Sequence, residues 1–229
     1  SCGKLEALKS RYEIISTTTD NISAAEGADM VIVAVKPWIA EGVVKQILGA
    51  FNSPQKMLVS VVADTSFATL RDWVSQSECQ PAIFRVIPNT AISVGESMTF
   101  VSADGATQEQ TEAVMGIFDK MGEAMLVDEK MLEVGMILAS CGIAFALRYI
   151  RAASEGGVEL GCPAAQAARI VAATMKGAAE LVLQNNSHPE QEIDKVTTAG
   201  GITIKGLNEM EHAGFSSAVI RGLKTSFNK

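Results

Sequence analysis

Two glycines flanked by threonines, in "VTTAGGITI" (Val196–Ile204), open an amphipathic run near the C-terminus. Two chemistries fit that spacing. Glycine allows a tight entry into a helix, and Thr197 or Thr198 can accept from the exposed N–H groups of its first turn. The same N–H groups, with no Cβ in the way, can instead hold a carboxylate or a phosphate. A second candidate is "AVKP" (Ala34–Pro37), where an apolar run ends on Lys36. A cation there is either a ligand contact at the carboxyl end of a parallel strand or a solvated strand-end charge.

The remaining reactive side chains carry less. The two histidines lie in "NSHPEQE" (His188) and "EMEHAGF" (His212), positions that read as a helix start beside Pro189 and a helix end before Gly214. The four cysteines, Cys2, Cys79, Cys141 and Cys162, form no C-x-x-C pair. No metal site and no disulfide framework is therefore expected, and a reducing, cytoplasmic setting fits best.

With 229 residues, 48% of them hydrophobic and 20% charged, the chain can bury a substantial core. A net charge of -7 without a basic run argues against nucleic acid as a partner. The longest apolar run free of charge, "VGMILASCGIAFAL", lies between Glu133 and Arg148. It is shorter than the roughly 20 residues that span a bilayer, so no membrane partner is expected. The opening "SCGKLEALKSR" reads as an amphipathic, charged helix and not as a signal peptide. A start inside an element, without an initiator Met, leads us to expect further residues upstream.

Strand patterns in the first half are "YEII", "MVIVAV", "MLVSVV", "AIFRVI", "SMTFVS" and "AMLVD". Helical patterns fall near Asn21–Gly27, Ile39–Ala50, Ser66–Gln76 and Gln108–Met121. This alternation predicts an α/β fold, a largely parallel sheet covered by helices. From Glu129 the strand signals stop: a long helix runs to about Gly156, a second from Pro163 at its first position to about Gln184, and three shorter ones follow. The sequence thus divides into an α/β half, 1–127, and a helical half, 128–229. Small residues in "AAQAARIVAATMKGAAE" suit close helix contact, within the chain or with a second copy.

A dinucleotide-binding half needs G-x-G-x-x-G after its first strand, yet no G-x-G occurs. Either no nucleotide binds, or the first strand and glycine loop lie upstream. The start inside an element favours the second option. A further signal lies in the stretches "ADMVIVAVKPW", "RVIPNTAISVGESMT", "GGVELGCP", "HPEQEIDKVTTAGGITI" and "EHAGFSSAVI". Together they resemble pyrroline-5-carboxylate reductase over essentially the whole chain.

The resemblance implies a doubly wound, nucleotide-binding Rossmann domain, a helical domain that interlocks with a second subunit, and reduction of 1-pyrroline-5-carboxylate to proline by NADPH, with NADH as the alternative cofactor. It places Asn21, Ala34, Val35, Lys36, Pro37, Val62 and Asn89 at the cofactor. It places Thr198, Gly200, Gly201, Ile202 and Thr203 at the substrate. Gly200, Gly201 and Ile202 would offer N–H groups to the carboxylate, and the Thr203 hydroxyl would bond the ring nitrogen, making Thr203 the catalytic residue. Ser1 and Lys4 are the residues that could approach a 2′-phosphate, and the sequence does not choose between NADPH and NADH.

Three departures from the family pattern bear on substrate positioning. "ASCGIAF" (Ala139–Phe145) stands for Ser-Gly-Ser-x-Pro-Ala-Tyr, "VVAD" (Val61–Asp64) for a segment with Ala-Ala-Gly, and "TTAGG" for Ser-Ser-Pro-Gly-Gly. Two rival readings stay open. One is a related imine or hydroxyacid oxidoreductase; the hydroxyacid enzymes use a lysine within the long helix, where this chain has only Lys130 at the start. The other is a dimeric binding module without chemistry.

Overall fold

The computed structural model describes residues 2–227, so Ser1 lies outside the described residues. Two compact units divide between Ser140 and Cys141. The boundary read from the sequence, at Asp128, falls earlier, at the head of the first long helix.

The first unit begins with α1 (Cys2–Arg11) and α2 (Asn21–Ala25), then β1 (Met30–Val33), α3 (Pro37–Gln46), β2 (Met57–Ser60) and α4 (Phe67–Trp73). There follow β3 (Ala82–Ile87), β4 (Ser97–Asp104), α5 (Gln108–Phe118), β5 (Gly122–Leu126) and α6 (Glu129–Gly135). The five strands form one sheet in the order β1-β2-β3-β4-β5. β1, β2 and β3 run parallel, with Val33 beside Ser60 and Ser60 beside Arg85. β4 is antiparallel to β3 and parallel to β5. The reversal has a simple cause: only residues 88–96 separate β3 from β4, too few for the helical crossover that parallel pairing requires.

Strand alternation sorts the core onto two faces. Leu58 and Ile83 join Val33, Val44, Phe51 and Leu70 under α2, α3 and α4. Val59, Phe84, Val86 and Val101 point the other way, against Val114 and Phe118 of α5. Burial on both faces explains why "MLVS" and "AIFRVI" are apolar but for Ser60 and Arg85. Two expectations fail here. "YEII" forms no strand, because no strand lies beside it to pair with, and Ile14 is 97% exposed. α1 forms as expected but buries no face: of its residues 3–11 only Leu5 is partly covered.

The second unit is helical: α7 (Gly142–Glu159), α8 (Ala164–Asn185), α9 (Pro189–Val196), α10 (Ile202–His212) and α11 (Phe215–Phe227). Pro163 is the N-cap of α8 and not its first helical residue. His188 caps α9, its Nδ1 accepting from the Glu190 N–H at 3.2 Å, and α10 ends at His212, as the sequence suggests. α6 leads through a π-helical turn (Met136–Cys141) into α7. The run Glu129–Glu159 is a 31-residue helix, long and apolar enough by length and composition to cross a membrane. The charge-free stretch inside it is shorter, because the helix continues through charged residues at both ends.

Candidate functional site

Three parallel strands bring their carboxyl ends to one edge of the first unit, where ligands of open α/β sheets bind. β1 ends into Ala34, Val35, Lys36 and Pro37. Lys36 is the extended N-cap of α3 and Pro37 its first residue, and no side chain caps that helix. Ala34, Lys36 and Pro37 are exposed, so this corner is open to a ligand. Asn21 begins α2, and its Nδ2 donates to Gln46 Oε1 at 2.9 Å, tying α2 to the end of α3. Val62, just beyond β2, is buried, with its N–H directed to Ser60 Oγ at 3.3 Å. Asn89, just beyond β3, is buried too. Its Oδ1 accepts from the Ala91 N–H at 2.9 Å, and its own N–H donates to Ser97 Oγ at 3.2 Å. Asn89 therefore shapes the turn into β4, a structural task that the sequence reading did not foresee. The exposed corner at Ala34–Pro37 and the uncapped α3 fit part of a dinucleotide; a G-x-G loop is not among the 229 residues.

A cavity of about 440 Å³ lies at the same edge, lined by Asp64, Ser66, Arg85, Ile87, Glu129 and Glu133 among others. Arg85 stands inside the apolar β3 with its side chain only 11% exposed. A charge so placed requires a partner. Its Nη1 reaches Glu129 Oε1 at 2.7 Å, and the same oxygen accepts the Phe67 N–H at 2.7 Å. The guanidinium also lies over the Phe67 ring, 5.9 Å from its centroid. Asp64 adopts a left-handed conformation, φ 60°. The sequence reading missed Arg85 and Glu129. The available signal was an arginine interrupting "AIFRVI".

In the second unit, the loop between α9 and α10 and the first turn of α10 bring Thr198, Gly200, Gly201, Ile202 and Thr203 together. Threonine capping of α10 does not occur. Thr197 Oγ1 donates back to the Ile193 carbonyl at 3.1 Å and closes α9 instead. Gly200 is left-handed at φ 71°, a conformation that favours glycine. Gly201 is the N-cap of α10, which no side chain caps. The Gly201 N–H donates to the Thr198 carbonyl at 2.9 Å, so it serves the turn and is not a free anion donor. The N–H groups of the first turn of α10, from Ile202 and Thr203, have no intrahelical partner by helix geometry. Both residues are exposed.

α9 delivers this loop and is itself anchored by Glu192. The carboxylate accepts from Lys195 Nζ at 2.7 Å, Ser187 Oγ at 2.6 Å and Asn185 Nδ2 at 3.3 Å. The Lys195 ammonium foremost, then the Ser187 hydroxyl, hold its pKa below the usual carboxylate value. The face around these helices is apolar and open. A cavity of about 810 Å³ is lined by Phe145, Tyr149, Met175, Met210 and Phe215 among others. Leu160, Leu183 and Ile202 are exposed.

Residues 129–229 match the family described as pyrroline-5-carboxylate reductase dimerisation, and residues 1–64 match that described as NADP oxidoreductase coenzyme F420-dependent. Pyrroline-5-carboxylate reductase 2 of Dictyostelium discoideum is 38% identical, over 99% of this chain and 79% of its own length. The chain belongs to the pyrroline-5-carboxylate reductase family. Pyrroline-5-carboxylate reductase 1 of the same organism is 42% identical over 93% of this chain, which spans only 40% of that longer relative. The structure of the Plasmodium falciparum pyrroline carboxylate reductase with NADP bound superposes at a TM-score of 0.82. That match has 26% identity and covers 92% of this chain and 79% of that one. The fold is thus the Rossmann-like domain of the pyrroline-5-carboxylate reductases followed by their helical dimerisation domain.

Proposed function

We propose that this protein reduces 1-pyrroline-5-carboxylate to proline, with NADPH as the hydride donor. The observation that carries the reading is the loop Thr198–Thr203. In a chain of this family, it presents an uncapped helix N-terminus behind two glycines, with a threonine in the first turn. The N–H groups of Ile202 and Thr203 receive the substrate carboxylate, aided by the positive end of α10. The Thr203 hydroxyl bonds the ring nitrogen.

In this reading Asn21, Ala34–Pro37 and the segment at Val62 form the protein's side of the dinucleotide site, with Asn89 shaping its edge. When bound, the reduced nicotinamide supplies a hydride to the imine carbon. The chain's own residues orient the imine and neutralise its carboxylate, and the nitrogen arrives protonated or is protonated through a hydroxyl or water. No strong protein base is needed, which suits a site of glycine and threonine. Rate comes from alignment and from hydrogen bonds to charged atoms.

The helical unit pairs with a second copy, a role supported by its open apolar face, and the long helix Glu129–Glu159 packs there and not in a bilayer. A cytoplasmic setting and the absence of a nucleic-acid partner follow from the cysteine spacing and net charge of -7. The test is turnover of the whole natural protein with pyrroline-5-carboxylate and each cofactor. NADPH-dependent turnover exceeding that with NADH supports the reading. A folded protein without turnover on either overturns it.

A further inference from the structure

Between the end of β2 and the start of α4, the segment Val61–Ser66 is held at both ends, and between them Thr65 is buried with its Oγ1 donating to the Ala63 carbonyl at 3.4 Å. At its near end the Val61 N–H joins the Val33 carbonyl of β1 at 3.1 Å, and Val62 is buried. Ala63 and Asp64 are exposed, and Asp64 holds its left-handed conformation without the freedom of glycine. A non-glycine residue in that region persists only where its surroundings enforce it. At the far end Ser66 Oγ accepts the Thr69 N–H at 3.1 Å, and Glu129 Oε1 accepts that of Phe67 at 2.7 Å.

Glu129 comes from α6, which is itself fixed. Gly135 packs so close to Phe100 of β4 that a Cβ there would stand 2.7 Å from the ring. Arg85 Nη1 donates to the same carboxylate oxygen at 2.7 Å, and its guanidinium covers the Phe67 ring. One carboxylate oxygen therefore joins β3, α4 and α6 at the end of the segment that follows β2.

We infer that Glu129, oriented by Arg85, is a positioning residue that holds Val61–Ser66 in the shape the dinucleotide requires. This rests on the cofactor reading given above, in which Val62 borders that site. Glu129 touches no reacting atom. Its effect falls on cofactor binding and not on the imine.

The test compares Glu129→Ala and Glu129→Gln with wild type in the whole natural protein. Glutamine keeps an oxygen that can accept from both Phe67 and Arg85; alanine removes it. Loss of a charge-assisted anchor predicts a rise of about tenfold in KM for NADPH in E129A. E129Q should stay within about threefold of wild type, because a neutral acceptor retains part of the bond. The KM for pyrroline-5-carboxylate and kcat should change little in both. Backbone amides of residues 62–67 should exchange faster in E129A, and E129Q should restore their protection.

A merely structural role would lower Tm in E129A and leave both the NADPH KM and this local exchange unmoved, and that result overturns the inference. If E129A does not fold, Glu129→Asp decides, because it keeps the charge but withdraws the acceptor from Phe67 and Arg85 by one methylene. In E129D a measurable rise in NADPH KM with unchanged kcat supports the inference, and an unchanged KM overturns it. A folded wild-type protein without NADPH-dependent turnover overturns the cofactor reading as well. Normal wild-type turnover with unaltered variants overturns this inference alone.

Discussion

Gly201→Ala tests whether the turn before α10 positions the substrate. The backbone at Gly201, φ -65° and ψ 169°, is one that alanine adopts freely, so any cost comes from contact and not from torsion. A Cβ there would lie 2.6 Å from Thr198 Oγ1 and 3.0 Å from the Thr198 carbonyl oxygen. The hydroxyl can rotate away. The carbonyl cannot, because it accepts the Gly201 N–H at 2.9 Å and closes the turn. Relief therefore requires the turn to open, at an overpacking cost of about 1–3 kcal/mol, less where the exposed loop yields. Opening moves the first N–H groups of α10 together with Thr203. Misplacement of a positioned group by about 1 Å can cost about a hundredfold in rate, so a smaller shift predicts a loss of roughly tenfold in kcat/KM for the imine. The assay is NADPH oxidation at varied pyrroline-5-carboxylate, with KM for NADPH as the internal reference, expected unchanged. Gly206→Ala is the control: it lies in the same helix and a Cβ there meets nothing within 4 Å. That variant should keep full activity and gain a little stability, since alanine is the better helix former. Full kcat/KM in G201A with an unaltered Tm would refute the assigned role of this turn.

Three further outcomes follow from the same site. Thr203→Val keeps the shape and removes the hydroxyl, so kcat/KM should fall roughly ten- to a hundredfold, the worth of a hydrogen bond to a charged group, with Tm unchanged; full activity would assign Thr203 to the helix alone. Glu192 has a folded pKa below its ordinary value of 4.5, so its contribution to stability is complete above that value and is lost as pH falls through the depressed one. The amides of α9 should therefore lose exchange protection on acidification, and Glu192→Gln should flatten that dependence; an identical pH profile in the variant would contradict it. Sedimentation at micromolar concentration should show a dimer, with an apolar interface above roughly 2,000 Å²; a monomer would refute pairing through the helical unit.

Much of this architecture is legible in the sequence because its central strands, β2 and β3, are buried on both faces. "MVIVAV", "MLVSVV", "AIFRVI", "SMTFVS" and "AMLVD" each correspond to a strand, and the switch to helix at Glu129 is plain. "YEII" has the same local pattern and fails, since a strand exists only where a neighbour completes its hydrogen bonds. The antiparallel β4 was implicit in the short 88–96 connection, a question of chain length and not of residue type. At the substrate loop, the glycines point to the uncapped helix, whereas the direction in which Thr197 turns depends on the geometry of α9. The Arg85–Glu129–Phe67 junction was hidden for another reason. Its members are 44 and 62 residues apart, and only the sheet register brings them together.

The most direct measurement follows one atom. NADPH carrying deuterium at nicotinamide C4, incubated with the whole natural protein and pyrroline-5-carboxylate, should give proline with deuterium on the former imine carbon, in proportion to the NADPH consumed. Proline without deuterium at that carbon, or no proline from a folded protein, would contradict the account.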